Sequence, residues 1–253
     1  MITDYLAVDI ETTGLSPERD GIIEIGAVRY KDSEPCGEYS CLIRTERLLP
    51  QRITELTGIT REMLEEQGIP EREAVLGFLE YGRDIPVLLG HNILFDYSFL
   101  KTAALRFGME FERSGLDTLA FARALHPELE SRSLAALCGH YRIEQEQAHR
   151  AAADALSAQR LYSALCREFP DYSFSAVPLC YRPKKQQPMT ARQKKYLQDL
   201  LRHCSMEYTD ELELLSKSDA SRLIDRLILT KGRPDRAASE NACPEWQNVI
   251  KYH

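Results

Sequence analysis

Four carboxylates and one histidine carry the chemistry available to this sequence. In "YLAVDIETTGL" the acids Asp9 and Glu11 stand in a run that otherwise reads as a buried strand, with Leu6, Ala7, Val8 and Ile10. Residues two apart on a strand share a face, so both charges aim at one small volume. Burying an ionised carboxylate without a partner is strongly unfavourable. Two more acids fall where a core residue belongs. Asp96 is spaced with Leu100, Ala103 and Phe107, and Asp154 with Ala158, Leu161 and Leu165, each set lying on one helix face. One such Asp near a helix N-terminus is accounted for by the helix dipole. Two of them, converging with a doubly acidic strand, can coexist only if most of the four are protonated or a cation is shared. Hard oxygen ligands without thiolates favour Mg²⁺ or Mn²⁺ over zinc. Two such ions roughly 4 Å apart serve phosphoryl chemistry, one activating water and the other stabilising the leaving oxygen.

His149 supplies a proton acceptor. Five residues before Asp154, it would point about 140° away from it if both were helical. It is therefore expected in the loop just ahead of the helix, where an unperturbed pKa near about 6.5 suits a general base. His91, His126, His140, His203 and His253 are read as surface loop histidines.

The elements that must position these groups alternate along the chain. Strands are expected at 5–10, 22–30 and 36–43, with links short enough for antiparallel neighbours. Helical stretches follow at 52–66 and 70–82, then a strand at 86–90, a helix over 93–107 and a strand near 114–117. Helices near 118–125 and 131–138 and a long helix over 150–168 complete the unit. Such a series predicts an α/β fold, a mixed sheet covered by helices. After Phe169 the pattern stops at Pro170, Pro178, Pro183 and Pro188. The expected organisation is a catalytic domain over 1–170, a linker over 171–188, a small helical module over 189–230 and a tail over 231–253. In the module "TARQ" has the form of a capping box and "SKSD" opens a second helix. A helical pair of this size is near the lower limit for folding alone and is expected to lean on the main domain or a partner.

Composition excludes several classes. The 253 residues are 43% hydrophobic and 28% charged, as in soluble globular proteins. No apolar run could span a bilayer, and no secretory leader opens the chain, so a cytoplasmic protein without membrane contact is expected. Seven cysteines with no CxxC pair read as reduced thiols rather than a zinc site. The net charge of −7 is uneven: residues 1–180 hold 18 basic against 29 acidic side chains, and 181–253 hold 14 against 10. Six basic residues and no acid lie between Arg182 and Lys195, either a footprint for a polyanion or a solvated linker.

These motifs, in this order, resemble the DEDDh branch of the DnaQ-like 3′→5′ exonucleases over about 170 residues. "VDIETTGL" carries Asp9 and Glu11, "GHNILFD" carries Asp96, and "HRAAAD" carries His149 and Asp154 at the family's His-x4-Asp spacing; "IIEIGAV", "LTGIT" and "DTLAFAR" also fall in place. The resemblance implies an RNase H-like fold, a five-stranded mixed sheet with helices on both sides. It implies that Asp9 bridges two Mg²⁺ or Mn²⁺ ions, that Glu11, Asp96 and Asp154 complete their shells, and that His149 deprotonates the attacking water. The product would be a nucleoside 5′-monophosphate from a nucleic-acid 3′ end, with DNA ahead of RNA as substrate and a DNA polymerase as a candidate partner in proofreading or repair. Thr12, Thr13, Leu15, Thr57, Asn92 and Phe95 occupy positions where family members line the terminal nucleotide. A 3′→5′ exoribonuclease and a non-catalytic adaptor with the same fold are the alternatives. The adaptor would lack a ligand or His149, and this chain lacks none.

Overall fold

The computed structural model describes residues 2–145, 149–183, 187–213 and 215–232, which divide into two compact units, Met1–Lys185 and Gln186–His253. In the first, β1 (Tyr5–Thr12), β2 (Ile22–Lys31) and β3 (Glu34–Arg44) form an antiparallel meander. β5 (Val87–Gly90) adds parallel to the free edge of β1, and β6 (Ser114–Asp117) parallel to β5. Two-residue strands extend this five-stranded sheet at both edges: β4 (Ile69–Pro70) beside β3 and β7 (Val177–Pro178) beside β6. The full order is β4-β3-β2-β1-β5-β6-β7, so the acid-bearing β1 lies at the centre of a seven-stranded mixed sheet rather than a five-stranded one.

β1 alternates between two cores. Leu6, Val8 and Ile10 belong to a cluster with Phe78 of α3 (Glu71–Tyr81) and Leu100 and Ala103 of α4 (Ile93–Arg106). Tyr5 and Ala7 belong to the opposite cluster, with Phe121 of α5 (Thr118–Leu125), Leu137 of α6 (Leu134–Tyr141) and Ala158, Leu161 and Leu165 of α7 (Ala151–Glu168). Helices on both faces keep water from the strands, and the first turns of α4 and α7 finish beside the strand end where the acids collect.

Three segments depart from the sequence-based expectation. The stretch 52–66 is two helices, α1 (Gln51–Thr57) and α2 (Arg61–Glu66), because Gly58 takes a left-handed φ of 72° and ends the first. α6 begins only after Ser133, whose side chain accepts from the Ala136 N–H and so caps the helix three residues later than 131. The segment read as linker is partly built into the sheet: Phe174 and Leu179 are buried and β7 pairs with β6. Pro178 is tolerated there because an edge strand has no further neighbour to donate to.

In the second unit, α8 (Ala191–His203) starts with the expected capping box, Thr190 and Gln193 bonding each other's backbone. Ser216 caps α10 (Lys217–Lys231), and a short α9 (Asp210–Glu213) lies between them. Leu197, Leu200 and Leu201 pack against Leu223, Ile224 and Leu227. Lys184, Lys185 and residues 233–253, which include most of the expected tail and His253, lie outside the described residues.

Candidate active site

Asp9 and Glu11 continue the face of β1 that begins with Tyr5 and Ala7, the face that α7 covers. Their backbone is fixed by pairing with Gly26 and Glu24 of β2. Opposite this strand end, the start of α7 lies against Gly26, where a β-carbon would lie 2.1 Å from the Ala152 nitrogen. Only a glycine admits the helix start at that distance.

The two helical aspartates reach β1 from opposite faces. Asp96, buried at the first turn of α4, accepts the Ile10 N–H through Oδ1 at 3.1 Å, so its carboxyl sits against the strand between Asp9 and Glu11. Asp154 lies in the first turn of α7, and its Oδ2 accepts the His149 N–H at 3.1 Å. His149 stands exposed in the loop two residues before α7, with φ of 63°. This conformation costs a residue with a side chain about 1–2 kcal/mol. One donor atom each from Glu11, His149 and Asp154 lie within 4.8 Å of one another. Asp9 and Asp96 join them at longer range, through the electrostatics that follow.

Burial, together with the charges of Asp96, Glu11 and Asp154, pushes Asp9 well above the usual carboxylate range. Burial and Asp154 push Glu11 up to about 8. Burial raises Asp96 to about 8 against the opposing pull of the Ile10 N–H, and it raises Asp154 against the His149 N–H. Four acids held so that none ionises easily form a site short of positive charge. All its donors are hard oxygens except one imidazole, so the residues fit a hard divalent cation.

The expected lining residues divide into two groups. Thr12 donates through Oγ1 to the Gly14 carbonyl at 2.6 Å, and Thr13 Oγ1 accepts the Gly21 N–H at 3.0 Å. Thr57 donates to the Ile53 carbonyl and accepts from the Ile59 N–H. These three hydroxyls shape turns and a helix end. Leu15, Asn92 and Phe95 are placed differently. Leu15 is 80% exposed, Asn92 is exposed with φ of 68°, and Phe95 is half-buried against Phe99.

Two histidines read as surface residues are not. His126 is 4% exposed and bonds Glu128 and Tyr141. His91 is half-buried and joins Thr118 to the Arg132 carbonyl. Neither has periodicity to betray it. Glu24 is the residue that sequence reasoning passed over, although "IIEIGAV" carries the same signal as Asp9, an acid inside a buried strand. It is 2% exposed and ion-paired to Arg150 at 2.7 Å.

The family model RNase_T, described as exonuclease, matches residues 6–162. The PolC-type DNA polymerase III of Clostridium perfringens is 39% identical over 153 residues, 60% of this chain and 10% of that protein. The PolC-type enzyme of Thermotoga maritima is 40% identical over 157 residues, 60% of this chain and 11% of that protein. The chain thus spans about a tenth of the length of these curated relatives. Among solved structures, the zinc-bound E. coli ExoI–ssDNA complex superposes with a TM-score of 0.61 at 22% identity, over 67% of this chain and 42% of that one. E. coli exonuclease I with a dT13 oligonucleotide gives 0.60 at 21% identity, over the same shares. At such identity the likeness is one of fold: a mixed sheet with helices on both faces.

Proposed function

Because the chain belongs to the RNase_T exonuclease family, a family of nucleases, we propose that it is a divalent-metal-dependent 3′→5′ exonuclease releasing nucleoside 5′-monophosphates, with DNA as substrate. The observation that supports this reading is the meeting of Asp9, Glu11, Asp96, Asp154 and His149 at one end of β1, with Glu11, His149 and Asp154 sharing one small volume. The DNA preference draws on the relatives, which are DNA polymerases, and on the fold neighbour, which is bound to single-stranded DNA.

Asp9, Glu11, Asp96 and Asp154 would hold two Mg²⁺ or Mn²⁺ ions. Bound there, the ions would supply positive charge to the attacked phosphodiester and lower the pKa of the attacking water. His149, exposed and outside the helix, receives the proton of that water. Its main-chain bond to Asp154 keeps the imidazole beside the carboxylates. Leu15 offers an apolar surface for the terminal base, and Asn92 and Phe95 face the same end of the sheet from the start of α4. Among the described residues no helix is long and apolar enough to cross a membrane. Action in the cytoplasm, alone or beside a DNA polymerase, is part of the same proposal.

The deciding experiment digests single-stranded DNA, duplex DNA and RNA of one sequence, labelled at either end, with Mg²⁺, Mn²⁺ or excess chelator. A 3′ label should leave at once as a mononucleotide, a 5′-labelled strand should shorten stepwise, and chelator should stop both. Retention of the 3′ label, or full activity in chelator, overturns the proposal. Preferential loss of the RNA would shift the substrate class and leave the polarity intact.

A further inference from the structure

Glu24 is a fifth acid beside the other four, itself buried, and the proposed reaction does not use it. It stands directly across from Glu11 in the register of β1 and β2, and its charge adds to the repulsion on Asp9, Glu11 and Asp154. Such a residue is unfavourable unless its carboxylate does something else. Its Oε1 accepts from Arg150 Nε at 3.0 Å and Nη2 at 2.7 Å, while Oε2 accepts the Ala151 N–H at 3.0 Å. Arg150 is the N-cap residue of α7 and makes no side-chain cap of its own. The anionic cap of this helix therefore comes from a distant strand, where it meets both an orphan N–H and the positive end of the helix dipole. Two residues along the same face of β2, Gly26 provides the bare backbone on which Ala151 and Ala152 rest.

From these contacts we infer that the Glu24–Arg150 pair is a clamp that positions His149 and Asp154. Arg150 follows His149 directly, its carbonyl accepts the Asp154 N–H at 3.0 Å, and Asp154 in turn accepts the His149 N–H. The turn carrying both groups closes on itself and is attached to the sheet through Arg150 and Ala151. Glu24 and Arg150 are positioning residues: they hold the turn, and His149 and Asp154 do the chemistry. Without the fork the first turn of α7 is free to fray, as helix ends do. A displacement of about 1 Å at reacting groups costs on the order of 10²-fold in rate.

The rate readout rests on the exonuclease reading; the exchange readout does not. Arg150→Lys keeps the charge beside Glu24 but replaces the planar fork by a point donor, and Arg150→Gln removes the charge. The expected loss in kcat on single-stranded DNA is roughly 10-fold for the lysine variant and roughly 10²-fold for the glutamine variant, with KM within about 2-fold. Hydrogen exchange should rise in the 149–156 segment and keep wild-type protection in 97–104 of α4. Unchanged exchange at 149–156 in Arg150→Gln overturns the clamp, as does raised exchange with kcat within about 2-fold of wild type. If the wild-type protein digests no DNA, the exonuclease reading fails, and the exchange comparison alone decides whether the pair anchors the turn.

Discussion

At the start of β1, Tyr5 stacks on Tyr30 with ring centroids 5.2 Å apart and meets the edge of Tyr162 at 5.7 Å. Four residues later the same face of the same strand carries Asp9, and then Glu11. α7 covers both ends, with Leu161, Tyr162 and Leu165 over the aromatic end and Asp154 over the acidic one. One strand and one helix therefore share a dry, well-packed half and a half that repels itself. The first half stabilises the fold whether or not a ligand is bound. The second gathers acids whose ionisation is unfavourable, and a cation bound there, as proposed, would relieve it and couple stability to the bound state. Rigid support for the acids comes from the half that contains no chemistry.

Substitutions should separate the two halves. The largest effect is expected for Asp9→Asn, which removes an ionisable group from the centre of the acid cluster. Turnover should fall by roughly 10³–10⁵-fold, while the metal-free protein should melt higher than wild type and lose its further rise with Mg²⁺ or Mn²⁺. Melting curves with and without cation, beside single-turnover digestion, would check both statements. A lower melting temperature in the metal-free variant would mean that the acidic half is not self-repelling.

His149→Ala comes next. It should keep cation-induced stabilisation and binding to 3′ ends but lose roughly 10²–10⁴-fold in turnover. His149→Gln should follow it, because an amide can bond the water without taking its proton. Near-normal turnover in either would make His149 a bystander.

On the aromatic end the balance reverses. Leu161→Ala deletes a fully buried side chain, with an expected cost of about 2–5 kcal/mol in urea unfolding. Turnover per folded molecule should stay within about 2-fold of wild type. A matching collapse in turnover would show that the two halves are not separable.

The last test is a pH slope. Glu11 and Asp96 have native pKa values raised to about 8 from ordinary carboxylate values in the unfolded chain. A raised native pKa means that the folded state binds the proton more tightly. The resulting stabilisation is complete below the unfolded pKa and is lost as pH rises through about 8. Metal-free protein should therefore melt progressively lower from mildly acidic pH to about 8, and saturating Mg²⁺ should flatten the trend. A metal-free profile that rises over this window would contradict the assigned shifts.

Much of this site is legible in the residues alone. The alternation of β1 requires that Asp9 and Glu11 share a face, and helical spacing requires that Asp96 and Asp154 face inward with Leu100 and Leu161. Those constraints are local, so no tertiary contact is needed to impose them. The capping signal at Thr190 is legible for the same reason. The bonding of the threonines is not: which nearby group a hydroxyl meets depends on the turn around it, and Thr12, Thr13 and Thr57 bond their own turns.

What only the tertiary structure decided is where separate stretches meet. The sequence places an acid in β2 but cannot say that Glu24 faces the start of α7, because Arg150 lies 126 positions further along the chain. It shows no period in two-residue strands, so β7 and the packing of Leu179 emerged only from the closed sheet. The same limit applies to His126, whose burial among Phe169, His140 and Tyr141 is a matter of packing. Local geometry determined which side chains point together along each element. The order of strands and the close approach at Gly26 determined that the acids from three elements and the histidine of one loop point at one place.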